Sequence, residues 1–172
     1  MPSTTFQVQI PGDPVGKGRP RFARIGRSAV RAFTPAKTKA YETKIGLLAM
    51  SKRTGTILQG PVSVDVVAIF KRPKRLMRKK DLDGLLWHQG KPDLDNVIKS
   101  VLDGLNGVIY EDDKQVVRIA ATSYYSEKGA QPRTIITVTE EPETPNQTRQ
   151  NDEDMAPGPA RSGIAGSSRE MD

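Results

Sequence analysis

Apolar and polar positions alternate from Thr5 to Ile10, with Phe6, Val8 and Ile10 on one side and Thr5, Gln7 and Gln9 on the other. A period of two is that of a strand with one buried side, and Pro11-Gly12-Asp13-Pro14 ends it. Val62 to Phe70 begins as the same alternation and becomes wholly apolar, which predicts a strand in the interior of a sheet. Between Leu94 and Leu105 the period changes. Leu94, Val97, Ile98, Val101, Leu102 and Leu105 fall at offsets 0, 3, 4, 7, 8 and 11, which is one face of an α-helix. Asp93 stands where its N-cap belongs, and Asn106-Gly107 supplies a left-handed stop. A second helix is expected from Thr34-Pro35, with threonine as cap and proline at the first helical position, to about Lys52. It should bury Tyr41, Ile45 and Leu48. Val108 to Tyr110 reads as a short extended piece, and Val116 to Tyr125 and Thr134 to Val138 as strands. Two basic stretches show no convincing period and read as loops. One is Gly16 to Arg21, followed by Arg24, Arg27 and Arg31; the other is Lys71 to Lys91. A connection as long as the second is usually functional or mobile.

A chain of 172 residues, 35% apolar and with 28 Gly and Pro, suits one domain with long loops and an extension. Residues 140–172 contain no aromatic residue and are rich in Pro, Gly, Ser and acids. They are expected to form a disordered tail after a domain at 1–139. No apolar run reaches the length of a membrane span, and Met1-Pro2-Ser3-Thr4-Thr5 lacks the apolar stretch of a secretion leader. Cysteine is absent, which excludes disulfides and thiolate metal sites; with a single histidine, a conventional structural zinc site is excluded as well. An intracellular, cytoplasmic protein is the expectation.

Charge sharpens this picture. Residues 140–172 hold eight acids and three bases, net −5, so residues 1–139 hold 24 bases and 12 acids, net +12. A domain that basic favours a polyanion, nucleic acid before an anionic membrane surface. Phosphate contacts are expected from Lys17, Arg19 and Arg21 after the first strand, and from Lys71, Arg72, Lys74 and Arg75 after the apolar one. Solvated loops are the plainer explanation of the same residues. An acidic tail beside a basic domain also suggests that the tail shields the surface until DNA displaces it. Trp87, Phe22 or Phe33 could wedge between bases or simply pack.

Six of the twelve acids of residues 1–139 lie between Asp93 and Asp113. Asp93 and Asp95 flank the start of a helix, and Glu111-Asp112-Asp113 returns just before a strand expected beside that helix. Magnesium takes hard oxygen ligands, a few carboxylates plus water and phosphate, and such an ion activates water for phosphodiester cleavage. Lys99, one turn after Asp95, suits a scissile phosphate. The plainer account is a capped helix, a surface Asp–Lys pair and a solvated turn. Asp81-Leu82-Asp83 repeats the acidic pattern with no rigid element behind it, and His88 reads as a solvated loop residue.

The run from Lys91-Pro-Asp93-Leu-Asp95-Asn96 through Lys99, Asp103, Asn106-Gly107 and Asp112-Asp113-Lys-Gln115-Val116 closely resembles the signature of the RusA family of Holliday-junction resolvases. Ile10-Pro11-Gly12 with Pro14, and Thr34-Pro35 with Tyr41, are also similar to that family, so that the resemblance covers roughly residues 5–139. It implies an α+β fold, a small mixed β-sheet with two main α-helices packed on it. It also implies a homodimer that nicks opposite strands of a four-way DNA junction symmetrically, with metal-activated water attacking the phosphodiester, in recombination and repair. Asp93, Asp95 and Asp113 would be catalytic metal ligands for Mg2+, with Mn2+ as a substitute. Asp112 is an alternative third ligand, Lys99 would steady the phosphate, and Asp103 is read as supporting structure. Two other functions fit the same residues: a nuclease for forks or flaps, and a basic nucleic-acid-binding protein without catalysis.

Overall fold

A five-stranded mixed sheet in the order β1-β7-β4-β6-β5 organises the chain. In this computed structural model, which describes residues 4–25 and 29–143, the elements are β1 (Thr5–Pro11), β2 (Arg21–Ile25), β3 (Ala29–Phe33), α1 (Ala36–Lys52), β4 (Val62–Phe70), β5 (Leu86–Trp87), α2 (Leu94–Leu105), β6 (Val116–Tyr125) and β7 (Arg133–Glu140). Short 3-10 turns occupy Lys74–Leu76 and Asp113–Gln115. The apolar strand expected at Val62–Phe70 is β4, and it lies in the sheet interior. β7 pairs with it antiparallel and β6 parallel. A parallel neighbour needs a crossover connection, and α2 belongs to that crossover.

Both helices pack on one side of the sheet, where Val8 and Ile10 of β1, alternate residues of β4, and Ile136 and Val138 of β7 form one core with Tyr41, Ile45 and Ala49 of α1 and Val97, Val101 and Leu105 of α2. The fold is thus the α+β arrangement that the resemblance implies. α1 begins one residue later than expected, and Pro35 rather than Thr34 is its cap residue. Val108–Tyr110 is a turn with isolated bridges instead of an extended segment. The basic stretch after Arg21 is not a loop: β2 and β3 form an antiparallel hairpin. The strand β7 runs to Glu140, one residue past the expected domain end; the proposed tail beyond 143 lies outside the described residues.

The two helices cross at Gly104. A Cβ there would sit 2.8 Å from Cβ of Ile45 and 3.0 Å from the carbonyl oxygen of Glu42. Backbone and an interior β-branched residue cannot yield as a flexible side-chain tip would. Gly104→Val is expected to destabilise the fold by about 1–3 kcal/mol, and thermal melting checks it. An unchanged melting temperature would show that the helices need not approach so closely.

Candidate active site at the start of α2

Asp93 occupies the N-cap position of α2 with extended backbone, but its carboxylate makes no capping hydrogen bond. The plainer account of this residue, a helix cap, is therefore not realised. Instead the exposed Asp93 lines an open cleft of about 740 Å3 whose walls include Lys17, Arg19, Lys91, Pro92 and Asn96. The glycine loop forms the opposite wall because it lies almost on the helix. A Cβ on Gly16 would be 2.7 Å from Cβ of Pro92, and the Lys17 N–H donates to the Asn96 carbonyl at 2.7 Å. The Gly18 N–H donates to the Thr38 hydroxyl at 3.1 Å, fixing the loop to α1 as well. An apolar hollow of about 650 Å3 along the outer side of α1 contains none of these acids.

Two cations expected on DNA have other partners. The Lys17 ammonium sits 2.6 Å from Glu42 of α1 and also bonds Asp103 of α2. Burial lowers its pKa, but these two carboxylates outweigh that effect and raise it above the usual lysine value. Lys17 is thus a charge-neutralised tie between loop and helices, and Asp103 is a supporting residue of that tie. Arg72 is the second correction. It is 5% exposed, and its guanidinium donates to the carbonyls of Ser126 at 2.8 Å, Leu82 at 2.8 Å and Gly84. A buried side chain saturated by carbonyls cannot grip a phosphate. Arg19, Lys71, Lys74 and Arg75 are exposed. The side chains of Arg21, Arg24 and Arg27 lie outside the described residues.

Asp95, in the first turn of α2, pairs with Lys99 at 3.1 Å, and both side chains are about 60% exposed (62% and 60%). The third acid stands further along. Tyr110 donates its hydroxyl to the Leu102 carbonyl. Burial, and after it the charges of Asp113 and Asp103, hold the Tyr110 hydroxyl far above its usual pKa. Asp113 follows Tyr110 by three residues, so this bond ties the chain just ahead of the acidic turn to the C-terminal half of α2. Among the described residues no three acidic, histidine or cysteine side chains come close enough together to hold a metal ion.

Asp112 and Asp113 separate in role. The Asp112 carboxylate accepts the Lys114 N–H at 3.0 Å, which lowers its pKa. It caps the turn, whereas Asp113 is exposed. Gln115, which stands in the signature but has no role assigned from the sequence, fixes that turn. Its amide oxygen accepts the N–H groups of Glu111 and Asp112, and its amide nitrogen donates to the carbonyls of Leu58 and Gly60. The second Asp-x-Asp is local scaffolding. Asp81 accepts the Arg78 N–H, and Asp83 accepts those of Gly84 and Lys128. His88 is not simply solvated either. It stacks on Phe70 at 3.8 Å and meets Tyr125 edge-on, and burial lowers its pKa.

Oxygen donors without thiolate suit magnesium. One carboxylate in the lining of an open cleft, Asp93, with Asp95 two residues further in the first turn of α2, also suits an ion whose remaining ligands are water and substrate phosphate, the usual arrangement for magnesium. No helix among the described residues is long and apolar enough to cross a membrane.

Comparison with known proteins adds to this geometry. The chain is 40% identical over 128 residues to the uncharacterized protein YqaN of Bacillus subtilis (strain 168), a match covering 72% of this chain and 89% of that protein. The family model described as endodeoxyribonuclease RusA matches residues 11–139, a span that holds the open cleft, Asp93, Asp95, Lys99 and Asp113, and the chain belongs to that family.

Proposed function

We propose that this protein is a magnesium-dependent endodeoxyribonuclease that resolves four-way DNA junctions by paired, symmetric nicks. The observation that carries this reading is the Asp93 carboxylate. It sits at a helix start without capping that helix, in a cleft walled by Arg19 and Lys91. In the proposal Asp93 and Asp95 hold the ion, and Asp113 is the further acid that the family likeness adds. A magnesium ion bound there supplies activation of water and neutralisation of charge on the phosphate oxygens. Arg19 and Lys91 draw the DNA backbone into the cleft. Lys99, held over the same helical turn by Asp95, donates to an oxygen of the scissile phosphate and keeps it beside the acids. Lys71, Lys74 and Arg75 contact flanking phosphates, a sequence-independent contribution that weakens steeply with salt.

Two nicks call for two sites, hence two subunits. The outer edge of β6 supports a second copy. β5 and the following His88 reach only Tyr125, Tyr124 and Ser123, so the strand before Ser123 lacks an outer neighbour among the described residues, and Val117 and Ile119 are 63% and 45% exposed there. Unpaired apolar edges tend to be covered. Work on cellular DNA in recombination and repair, inside the cytoplasm, follows from the same reading.

The test is a nicking assay on a synthetic mobile four-way junction, a fork, a flap and a linear duplex at one salt concentration, with and without magnesium, using protein of measured mass in solution. Paired nicks at symmetric positions, in the junction and only with magnesium, are expected from a dimer. Equal cutting of all four DNAs would remove the junction specificity. Binding without any cutting would leave a basic DNA-coating protein.

A further inference from the structure

The only tryptophan of the chain has no part in the site described above. Trp87 lies in the two-residue edge strand β5, directly opposite Tyr124 of β6. Their rings stack with centroids 4.8 Å apart and an interplanar angle of 26°, yet Trp87 remains 67% exposed. One face of the indole is therefore backed by an aromatic ring, and much of the rest meets solvent.

The backbone around it is held firmly. Arg72 grips the carbonyls of Leu82 and Gly84 just ahead of β5. Just behind, the His88 N–H donates to the Ser123 carbonyl at 3.1 Å, the Ser123 hydroxyl donates back to the His88 carbonyl at 3.2 Å, and the His88 ring stacks on Phe70. A large apolar ring presented to water on so rigid a support asks for a ligand with a flat face. The same segment names its charge. Lys74, Arg75, Arg78, Lys79, Lys80 and Lys91 are exposed along it, while its two acids, Asp81 and Asp83, are engaged by backbone N–H groups.

We infer that Trp87, backed by Tyr124, is a stacking platform for an unpaired nucleobase of bound DNA. This rests on the proposed action on branched DNA and names a contact within it. A flat π-face amid cations is the combination that binds single-stranded nucleic acid, the cations following the backbone and the ring taking the base. Paired bases inside a duplex hide their faces in the stack, so only a nucleotide opened at a branch point or end can lie on Trp87. Six Cα-to-Cα steps lead from Trp87 to Asp93, at most about 22 Å of chain. The platform is thus within roughly six base-pair steps of the cleft.

Because the chain has one tryptophan, fluorescence excited selectively at the indole, beyond the absorption of the four tyrosines, reports on this position alone. The full chain, kept in chelator so that nothing is cut, would be titrated with a single-stranded oligothymidine, a four-way junction and a closed-end duplex lacking unpaired bases. Single strand and junction are expected to quench the emission, while the duplex binds by anisotropy of a labelled end without quenching. Trp87→Leu should weaken single-strand binding roughly 10-fold and duplex binding less than about 2-fold, and Trp87→Phe should restore most of the loss. Equal quenching by all three DNAs, single-strand binding with unaltered emission, or equal loss of all binding in Trp87→Leu would overturn the platform. So would a change of oligomeric mass in that variant, which would assign the ring to a protein interface. Nicking is scored separately: quenching without nicking keeps the platform and removes the nuclease, and nicking without quenching does the reverse.

Discussion

An Asp93→Asn protein is expected to bind a four-way junction at least as tightly as the parent protein and to nick it roughly 100-fold or more slowly, a loss of about 3 kcal/mol in transition-state stabilisation. The two halves of this outcome have separate causes. Asparagine is as good an N-cap residue as aspartate, and the Asp93 side chain makes no capping bond to lose, so α2 and the cleft should persist. Removing one negative charge from a cleft that must accept phosphate lowers repulsion. What the substitution removes is an anionic oxygen donor, and a neutral amide holds magnesium far less well. The measurements are single-turnover nicking in magnesium and junction binding in chelator, on the same protein preparation. Unchanged nicking would end the assignment of Asp93 to the site. Parallel loss of binding and melting temperature would show instead that its role is structural.

Asp93 also shows how far a sequence reaches. Its place at a helix start is legible because α2 carries a regular apolar face bounded by Asn106-Gly107, whose glycine does take positive φ, +70°. β4 is legible for a similar reason, since nine residues rich in Val and Ile fit only a strand buried on both sides. The hairpin of β2 and β3 is hidden because its arginines interrupt the apolar alternation and its stability comes from pairing across strands. β5 is two residues long and has no period to detect. Chain order brings Glu111-Asp112-Asp113 back toward α2; the bond from the Tyr110 hydroxyl to the Leu102 carbonyl, which ties the segment ahead of them to that helix, has no signal in the sequence. Basic residues are the least legible. Lys17 and Arg72 look like their exposed neighbours in composition, and nothing local indicates that carboxylates of two helices or carbonyls of a distant loop await them.

Arg72 therefore gives the sharpest test of the fold. Arg72→Leu is expected to lower stability by about 3–5 kcal/mol, or roughly 10 °C in melting temperature for a domain of this size. The reason is accounting for acceptors. The carbonyls of Leu82, Gly84 and Ser126 converge on one guanidinium, and leaving each without a donor in a water-poor position costs about 1–3 kcal/mol less any rescue by solvent. Arg72→Lys separates this from a charge effect. Lysine keeps the positive charge but has no planar fork to reach three diverging carbonyls, so it should recover only a minor part of the loss. A phosphate contact would behave in the opposite way: the lysine protein would bind DNA nearly as well as the parent, and the leucine protein would melt normally while its salt dependence fell by about one phosphate. Because the grip also fixes the chain entering β5, the destabilised leucine protein should be cleaved first by protease within residues 74–85. Normal melting with protection of that segment would refute the structural role.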